Sequence, residues 1–398
     1  MTLEWLIIGG GIHGVHIASR LLADADVPRE GVRIVDPNSQ LLERWDTRTA
    51  TMGMTHLRSP SVHHLDLDPL SLQRFAGKRK NRASGLFAIP FERPSLKLFN
   101  DHCRKVIRDF ELEDLHIQGH AVKCRLDHEC VTVELSEGEP LTAQNVVLAM
   151  GTNDHPAWPE WAPRAHSRVH HVFDPECSEW PSEKETVVVV GGGISAGHVA
   201  LRLLGEGHDV HLTSRHALRE HQFDSDPGWL GPKYTTSFHS ESDPDERRAV
   251  ITEARHRGSM PADMARSIRR AISKGRMQWH EDEITSCEAD NEQVKVTFKK
   301  DSEVTADRVL LATGYAAQRP GGSMIDELVA SAQLPCAKCG YPIVNPSLEW
   351  HPHIYVSGPL AELELGPVSR NIAGARRAGD RIVAAAEDQR SLANANGF

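Results

Sequence analysis

The chain of 398 residues contains no apolar run approaching the roughly 20 residues that a membrane-spanning helix needs. It has no excess of positive charge either. Lys and Arg number 45 against 55 Asp and Glu, a net charge of −10, which argues against a nucleic-acid partner or an anionic membrane surface. Cysteine is sparse: seven residues, an odd number, scattered along the chain, so reduced thiols and a cytoplasmic setting are expected. The opening stretch MTLEWLIIGGG carries Glu4 and lacks a basic segment and a cleavage site, so no secretory signal is expected there. Low-complexity tracts are missing. The histidine pairs His63-His64 and His170-His171 have no third ligand at zinc-like spacing, and no metal is expected. What remains is the balance of a soluble globular protein, 39% apolar and 25% charged, at a length that suits two or three domains.

Within that chain one phrase is written twice. GGGIHGVHIASRLL begins at Gly9 and GGGISAGHVALRLL begins at Gly191. Each follows a short apolar run, EWLII or ETVVVV, and each continues with apolar residues at helical spacing. Strand, glycine turn and helix in that order make a dinucleotide cradle. Gly9 and Gly191 allow the tight turn, Gly11 and Gly193 let the backbone approach a pyrophosphate, and Gly14 and Ala196 let helix pack on strand. Ile12, His13, Ile194 and Ser195 open the two helices, where free N–H groups and the positive helix end hold an anion. A single G-x-G-x-x-G is weak evidence, whereas two in the same context are strong.

The copies diverge where nucleotide specificity is set. The first runs on to GVRIVDP, ending at Asp36, whose carboxylate accepts hydrogen bonds from ribose hydroxyls and repels a 2′-phosphate. The second runs on to HDVHLTSRH, with Ser214 where Asp36 stood, followed by Arg215 and His216. A hydroxyl and a guanidinium suit a 2′-phosphate. The first cradle is therefore expected to bind FAD and the second NADPH.

A further repeat accompanies the first. LTAQNVVLAMGT, from Leu141, parallels VTADRVLLATGY, from Val304; each reads as a buried strand ending on a glycine, Gly151 or Gly314, beside a cofactor. The expected fold is α/β, with two Rossmann-like domains and the NADPH domain inserted into the FAD domain. The expected division is 1–165 and 309–398 for the FAD domain, with a small β-meander around Val122, and 185–308 for the NADPH domain. The crossing between them, HPAWPEWAPRAHS, is rich in proline. Near the C-terminus, HIYVSGPLAELELGPVSRNIAGARRAGDRIVAAAEDQ reads as strand, loop and long helix, with Gly366-Pro367 at the helix start.

On these motifs the whole chain resembles the two-dinucleotide-binding-domain flavoproteins, and within them the lysine/ornithine N-hydroxylase-like class of flavin monooxygenases. The resemblance implies that LLERWDTRTATMGMTHLRSP wraps the isoalloxazine, with Trp45, Met54, Leu57 and Arg58 on the flavin side. It implies further FAD contacts at Val122, Gly151, Gly314, Gly358, Gly366 and Pro367. NADPH would reduce FAD, and a C4a-hydroperoxide of the flavin would hydroxylate a small nucleophilic substrate of amine type, with O2 as co-substrate. Homo-oligomers are common in that group. The stretch VHHVFDP lacks the F-x-G-x-x-x-H-x-x-x-W-P pattern of Baeyer–Villiger enzymes, which argues against ketone oxidation. No acid–base triad is required by flavin chemistry; His56 and Arg58 are the only catalytic candidates. The rivals are an NADPH-driven reductase of a disulfide, quinone or protein, and a non-catalytic flavin or nucleotide sensor. Cys336 and Cys339, in LPCAKCGYP, form the one C-x-x-C and bear on the reductase alternative. Two irregular stretches, HQFDSDPGWLGPKY with Trp229 and Lys233, and ARHRGSMP with Arg255 and Arg257, are candidates to close over NADPH or substrate.

Overall fold

The computed structural model describes residues 2–79, 83–127, 129–152, 155–164, 166–174, 180–290 and 292–395. Two parallel sheets organise the chain. In the first, the order is His116–Gln118, Val32–Asp36, Leu3–Ile8, Leu141–Leu148 and Ile354–Val356, with Glu349–His351 antiparallel at the edge. The central strand Leu3–Ile8 is apolar except at Glu4, because both faces are covered over most of its length. Trp5 and Ile7 enter one hydrophobic core and Leu6 and Ile8 the other, following the period of two. The strands Ala121–Leu126 and Val131–Leu135 form an antiparallel meander that feeds into Leu141–Leu148.

The second sheet is entirely parallel: Met277–Glu281, Asp209–Ser214, Thr186–Val190, Arg308–Leu311 and Val169–His171. A meander of Ile284–Ala289, Val294–Phe298 and Glu303–Ala306 precedes Arg308–Leu311, just as a meander precedes Leu141–Leu148. The expected boundaries at 185 and 309 cut through this sheet and need correction. Val309 pairs with Val169 and Val187 pairs with Arg308, so the second sheet takes its edge strand from before 185 and keeps the residues to Leu311. The edge strand has only three residues, too few for a periodic pattern to stand out beside the proline-rich crossing.

From the second sheet an excursion reaches across to the first. It is closed at its base by Arg219–Glu220 pairing with Ser259–Met260 and contains the helices Pro232–Ser240 and Pro244–Ala254. Trp229, Phe238 and Ile251 pack there with Tyr341, Leu363 and Val368. Below them Glu362, with no exposed surface, receives Arg370 on both oxygens and also Arg248 and Arg255. The C-terminal segment departs from expectation. Pro367–Arg370 is a single 3-10 turn, and the long helix Ile372–Ala395 starts only after Asn371, whose backbone is extended. Gly374 approaches Ser369 so closely that a Cβ on it would lie 2.3 Å from the Ser369 carbonyl oxygen, a fold-back that one continuous helix from Gly366 does not permit.

Candidate dinucleotide-binding sites

The first glycine turn follows Leu3–Ile8 and opens the helix Ile12–Ala23. Gly9, at φ +116°, donates to Val35 O at 2.8 Å. A Cβ on Gly14 would fall 1.8 Å from Gly9 O, so this helix lies directly on the turn. A Cβ on Gly11 would meet nothing within 4 Å, and the cradle is open at the point where a pyrophosphate approaches. Asp36 ends the second strand. One of its carboxylate oxygens accepts from Gly10 N at 2.6 Å, and the other from the backbone and side chain of Asn38 at 2.9 and 2.6 Å. These bonds fix the carboxylate and leave acceptor sites for ribose hydroxyls.

His13 stands at the helix entrance. Its Nδ1 lies 2.8 Å from Ser357 Oγ, and its Nε2 is buried without a hydrogen-bond partner among the described residues. Burial pushes this imidazole down to about 4, so the ring is neutral at physiological pH. Gly358, at φ +63°, faces the same ring. Ser369 Oγ, between Gly366-Pro367 and the long helix, is a second buried atom without a partner. An open cradle and orphaned polar atoms at the elements that line a flavin site fit a bound FAD.

The remaining first-site candidates are spread more widely. Trp45, on the helix Glu43–Thr51, donates from Nε1 to Asn100 Oδ1 at 3.0 Å and packs on Phe99. Met54 packs against the cores of both units, and Leu57 is buried. Val122 sits at an irregularity of the meander register, 40% exposed. Gly151 and Gly314 both turn the chain in the left-handed region after their strands, but Gly314 follows Arg308–Leu311 of the second sheet and lines the second cavity, so its expected place at the FAD site is corrected. His56 holds Gly85 O through Nε2 at 2.8 Å and bridges Ser95. Arg58 leaves its own unit. Its guanidinium donates to the carbonyls of His221, Gln222 and Phe223 and to Ser259, at the second site. Those bonds engage Nε and Nη2, and Arg58 also lines the second cavity, so the structure places this catalytic candidate at the second site and not at the flavin side.

At the second site Gly191, Gly193, Ile194, Ser195, Ser214, Arg215 and His216 line one cavity of about 1090 Å³, with Ala196 buried beneath it. Gly191 donates to Thr213 O at 2.9 Å. The Ser214 hydroxyl donates to His216 O at 2.9 Å, so its proton is directed into its own turn and not toward the cavity. Arg215, Arg219 and Arg257 line the same space, and none of their guanidinium groups has a partner among the described residues. Unpaired cations beside a helix N-terminus fit a dinucleotide carrying an extra phosphate. Of these, Arg219 was not singled out by the sequence; its signal is its place on the short strand beneath Arg257. Trp158 and Trp161, from the proline-rich crossing, also line the cavity.

The two irregular stretches have different fates. Trp229 is buried against Gly366, Lys233 is exposed over the Tyr234 ring and Arg255 is buried beside Glu362, whereas Arg257 lines the cavity together with Asp224, His256, Gly258 and Ser259 of the same stretches. The histidine pairs are held by protein groups: His64 near Pro69 O, His170 near Ser167 O and His171 near Thr313 Oγ1. Cys336 and Cys339 lie on a tight hairpin outside the cavity.

Residues 78–381 match the pyridine nucleotide-disulphide oxidoreductase family. The chain belongs to that family. Its members bind FAD and a pyridine nucleotide, and the two cradles, one opposite Asp36 and one opposite Arg215, correspond to that pair. No curated protein matches in sequence. Among solved structures, the ornithine N-hydroxylase KtzI of Kutzneria sp. 744, in its FADred–NADP+–L-orn form, is 16% identical, with TM-score 0.76 over 98% of this chain and 100% of that one. The ornithine hydroxylase PvdA of Pseudomonas aeruginosa is 16% identical, with TM-score 0.76 over 98% and 99%. The bacillithiol disulfide reductase Bdr (YpdA) of Staphylococcus aureus is 16% identical, with TM-score 0.64 over 98% and 99%. At such identities the likeness shows the shared fold. No helix among the described residues is long and apolar enough to cross a membrane.

Proposed function

We propose that this family member is an NADPH-dependent flavoprotein monooxygenase that hydroxylates a small nucleophilic substrate of amine type. The observation that carries the reading is the composition of the second cavity: three arginines, Arg215, Arg219 and Arg257, whose guanidinium groups have no partner among the described residues. The arginines supply the charge that a 2′-phosphate needs. A disulfide reductase needs a thiolate within reach of the flavin. Burial raises the Cys336 thiol above its ordinary value, the wrong direction for a nucleophile, and Cys339 is exposed on the far hairpin. The amine-type substrate is supported by the fit to the two ornithine hydroxylases, closer than that to the bacillithiol reductase.

In this reading the N–H groups of Gly11, Ile12 and His13 hold the FAD diphosphate, Asp36 takes the ribose, and the neutral His13 ring fills the space beside Gly358 without adding charge. The N–H groups of Gly193, Ile194 and Ser195 hold the second diphosphate, and Arg215 reads the 2′-phosphate. FAD, when bound, supplies hydride acceptance and oxygen activation. The overall balance is amine, O2, NADPH and a proton giving hydroxylamine, water and NADP+. Arg58 and the Trp158–Trp161 crossing line the second cavity and keep water from the bound nucleotide.

The test is an oxygen-coupled assay on the FAD-loaded protein with primary amines. NADPH consumption should be matched by hydroxylated product, and the Cys336→Ser and Cys339→Ser variants should retain the rate. NADPH oxidation coupled to disulfide reduction and abolished by either serine variant would replace this reading with the reductase. Binding of both cofactors without turnover would replace it with a sensor.

A further inference from the structure

The second cradle has a roof, and the roof is held from the other unit. Two segments of the excursion, 221–224 and 256–260, lie side by side over the glycine turn. His256 N donates to Asp224 O at 2.8 Å and His221 N to Met260 O at 3.1 Å, and the His221 and His256 rings stack with centroids 3.8 Å apart. Gly258 reaches down until its Cα lies 3.6 Å from where a Cβ on Gly193 would be. The corresponding point on Gly11 in the first cradle has nothing within 4 Å. The second pyrophosphate position is thus bounded on its outer side by protein backbone, and the first is not. Gly258 has φ +66°, and a Cβ there would fall 2.8 Å from His216 Nε2, so the roof rests on the rim residue beside Arg215.

Arg58 grips both segments. Its Nε donates to Gln222 O at 2.9 Å, and its Nη2 to His221 O at 2.7 Å, Phe223 O at 2.8 Å and Ser259 Oγ at 3.0 Å. Every one of these partners is in the roof. Ser259 in turn donates to His256 O, which ties the grip to the stacked imidazoles. Arg58 itself stands directly after Leu57, whose amide is pinned to Pro94 O of the first unit at 2.9 Å. Other contacts dock the two units independently: Arg202 on Thr51 O at 2.7 Å, Arg93 on Asp263 at 2.5 Å, and the arginines around Glu362. Removing Arg58 therefore takes away the roof's polar hold, leaving the packing of Phe223 on Phe91, without separating the units.

We infer that Arg58 is a positioning residue for the pyridine nucleotide: a guanidinium of the flavin unit sets the height of the backbone roof over the second diphosphate cradle. The inference rests on the second cradle holding NADPH. A planar guanidinium with a fixed fork can reach across three carbonyls and a hydroxyl, with the two N–H groups of Nη2 shared among three of them; a lysine ammonium, a single point on a flexible stem, cannot hold the same span. The grip also links the two halves of the reaction. The segment 54–58 that the resemblance places beside the flavin ends in the side chain that shapes the nucleotide site, so a shift of that segment is felt at the roof. Because the roof lies over the diphosphate, common to NADPH and NADH, Arg58 acts on both nucleotides alike.

The test uses the FAD-loaded full chain and NADP+ and NAD+ as probes. Arg58→Ala should keep its FAD content and melting temperature, bind NADP+ about tenfold or more weakly, and raise KM for NADPH and NADH by the same factor. Amide exchange should quicken in 221–224 and 256–260 and nowhere else. Ser259→Ala should shift affinity less, in the same direction, and add nothing when combined with Arg58→Ala. Arg58→Lys should fall between wild type and alanine. Unchanged NADP+ affinity together with unchanged exchange in the roof would overturn the inference. So would a loss confined to NADPH, which would make Arg58 a phosphate ligand, or a loss of FAD, which would make it a flavin ligand. If Arg58→Ala does not fold, Ser259→Ala and Arg58→Lys decide by the same measurements. A wild-type protein that binds neither probe contradicts the parent reading, and the roof's exchange then still reports whether Arg58 holds it.

Discussion

A Cβ on Gly191 would stand 2.5 Å from the carbonyl oxygen of Ala312, and a Cβ on Gly9 would stand 2.4 Å from that of Ala149. The two repeats seen along the chain are thus in contact with each other within each unit. The first glycine of each cradle packs on the residue that ends the late strand, and Ala149 N and Ala312 N bond back to Ile8 O and Val190 O. The duplication is of a whole supersecondary unit: strand, cradle, helix, meander and closing strand. It explains why the first and second glycines of each motif answer to different demands. The first is required by the fold, and the second is required by what the fold binds.

The contrast between a glycine required by the fold and one required by the ligand is testable in the first cradle with Gly14 and Gly11. Gly11 has an ordinary φ of −81° and free space around its absent Cβ. Gly11→Ala should fold with an unchanged melting temperature and be purified colourless, because the methyl group occupies the approach of the pyrophosphate. Gly14→Ala places its methyl 1.8 Å from Gly9 O, backbone against backbone, and should cost at least about 3 kcal/mol or fail to fold. Flavin absorbance per protein and urea unfolding separate the two outcomes.

How much of this was written in the sequence follows from which interactions are local. Strand, glycines and helix are contiguous at 9–14 and 191–196, so both cradles could be read directly. The bound at 309 falls inside the strand Arg308–Leu311, whose partners are Thr186–Val190 and Val169–His171; strand partners are chosen in three dimensions, and the spacing along the chain does not carry them. Arg58 illustrates the same limit more sharply. Its neighbour Leu57 sits within the first unit's core, yet its partners are 163 to 201 residues away, and no spacing rule carries that information. The network at Glu362 was equally hidden, since Arg255 is expected over the nucleotide or substrate and Arg248 stands in a polar stretch 114 residues from Glu362.

Glu362 is the place where that excursion is most expensive to disturb. Burial alone would raise its carboxyl, but Arg370, Arg255 and Arg248 together hold it below the usual range. Glu362→Gln removes the only carboxylate common to three arginines that are themselves largely buried. The expected loss is about 3–5 kcal/mol, the scale for breaking a buried pair and leaving its partners uncompensated. Urea unfolding of the FAD-free protein measures it without interference from cofactor binding.

Acid should destabilise the fold well before its carboxylates are protonated. Burial pushes His13 and His198 down to about 4 and His16 to about 3, against about 6.5 in an unfolded chain. The folded state therefore binds fewer protons than the unfolded state below pH 6.5. The stability these rings contribute is complete above that pH and is lost progressively as pH falls toward 4. Each contributes a slope of up to roughly 1.4 kcal/mol per pH unit in that window. Urea midpoints between pH 7.5 and 4.5 should fall accordingly, and His16→Gln, which removes one titrating ring from the helix Ile12–Ala23, should flatten the fall by about one proton. A midpoint that stays level down to pH 5 would show that these rings are accessible to water.

Arg215 should govern the choice of nucleotide, and its exposure sets the size of the effect. It stands after the strand Asp209–Ser214, lines the cavity and has no protein partner among the described residues. With the Ser214 proton turned to His216 O, Arg215 is the first side chain past the strand able to donate to a 2′-phosphate. Arg215→Ala should lower kcat/KM for NADPH by about tenfold and leave that for NADH nearly unchanged. An exposed guanidinium is screened, so the NADPH penalty should shrink in high salt. Arg219 and Arg257 face the same cavity, and a residual preference for NADPH in Arg215→Ala would be theirs. The ratio of the two nucleotides measured in Arg215→Ala, Arg219→Ala and Arg257→Ala orders the three. An equal loss with both nucleotides in Arg215→Ala would move the 2′-phosphate away from this turn.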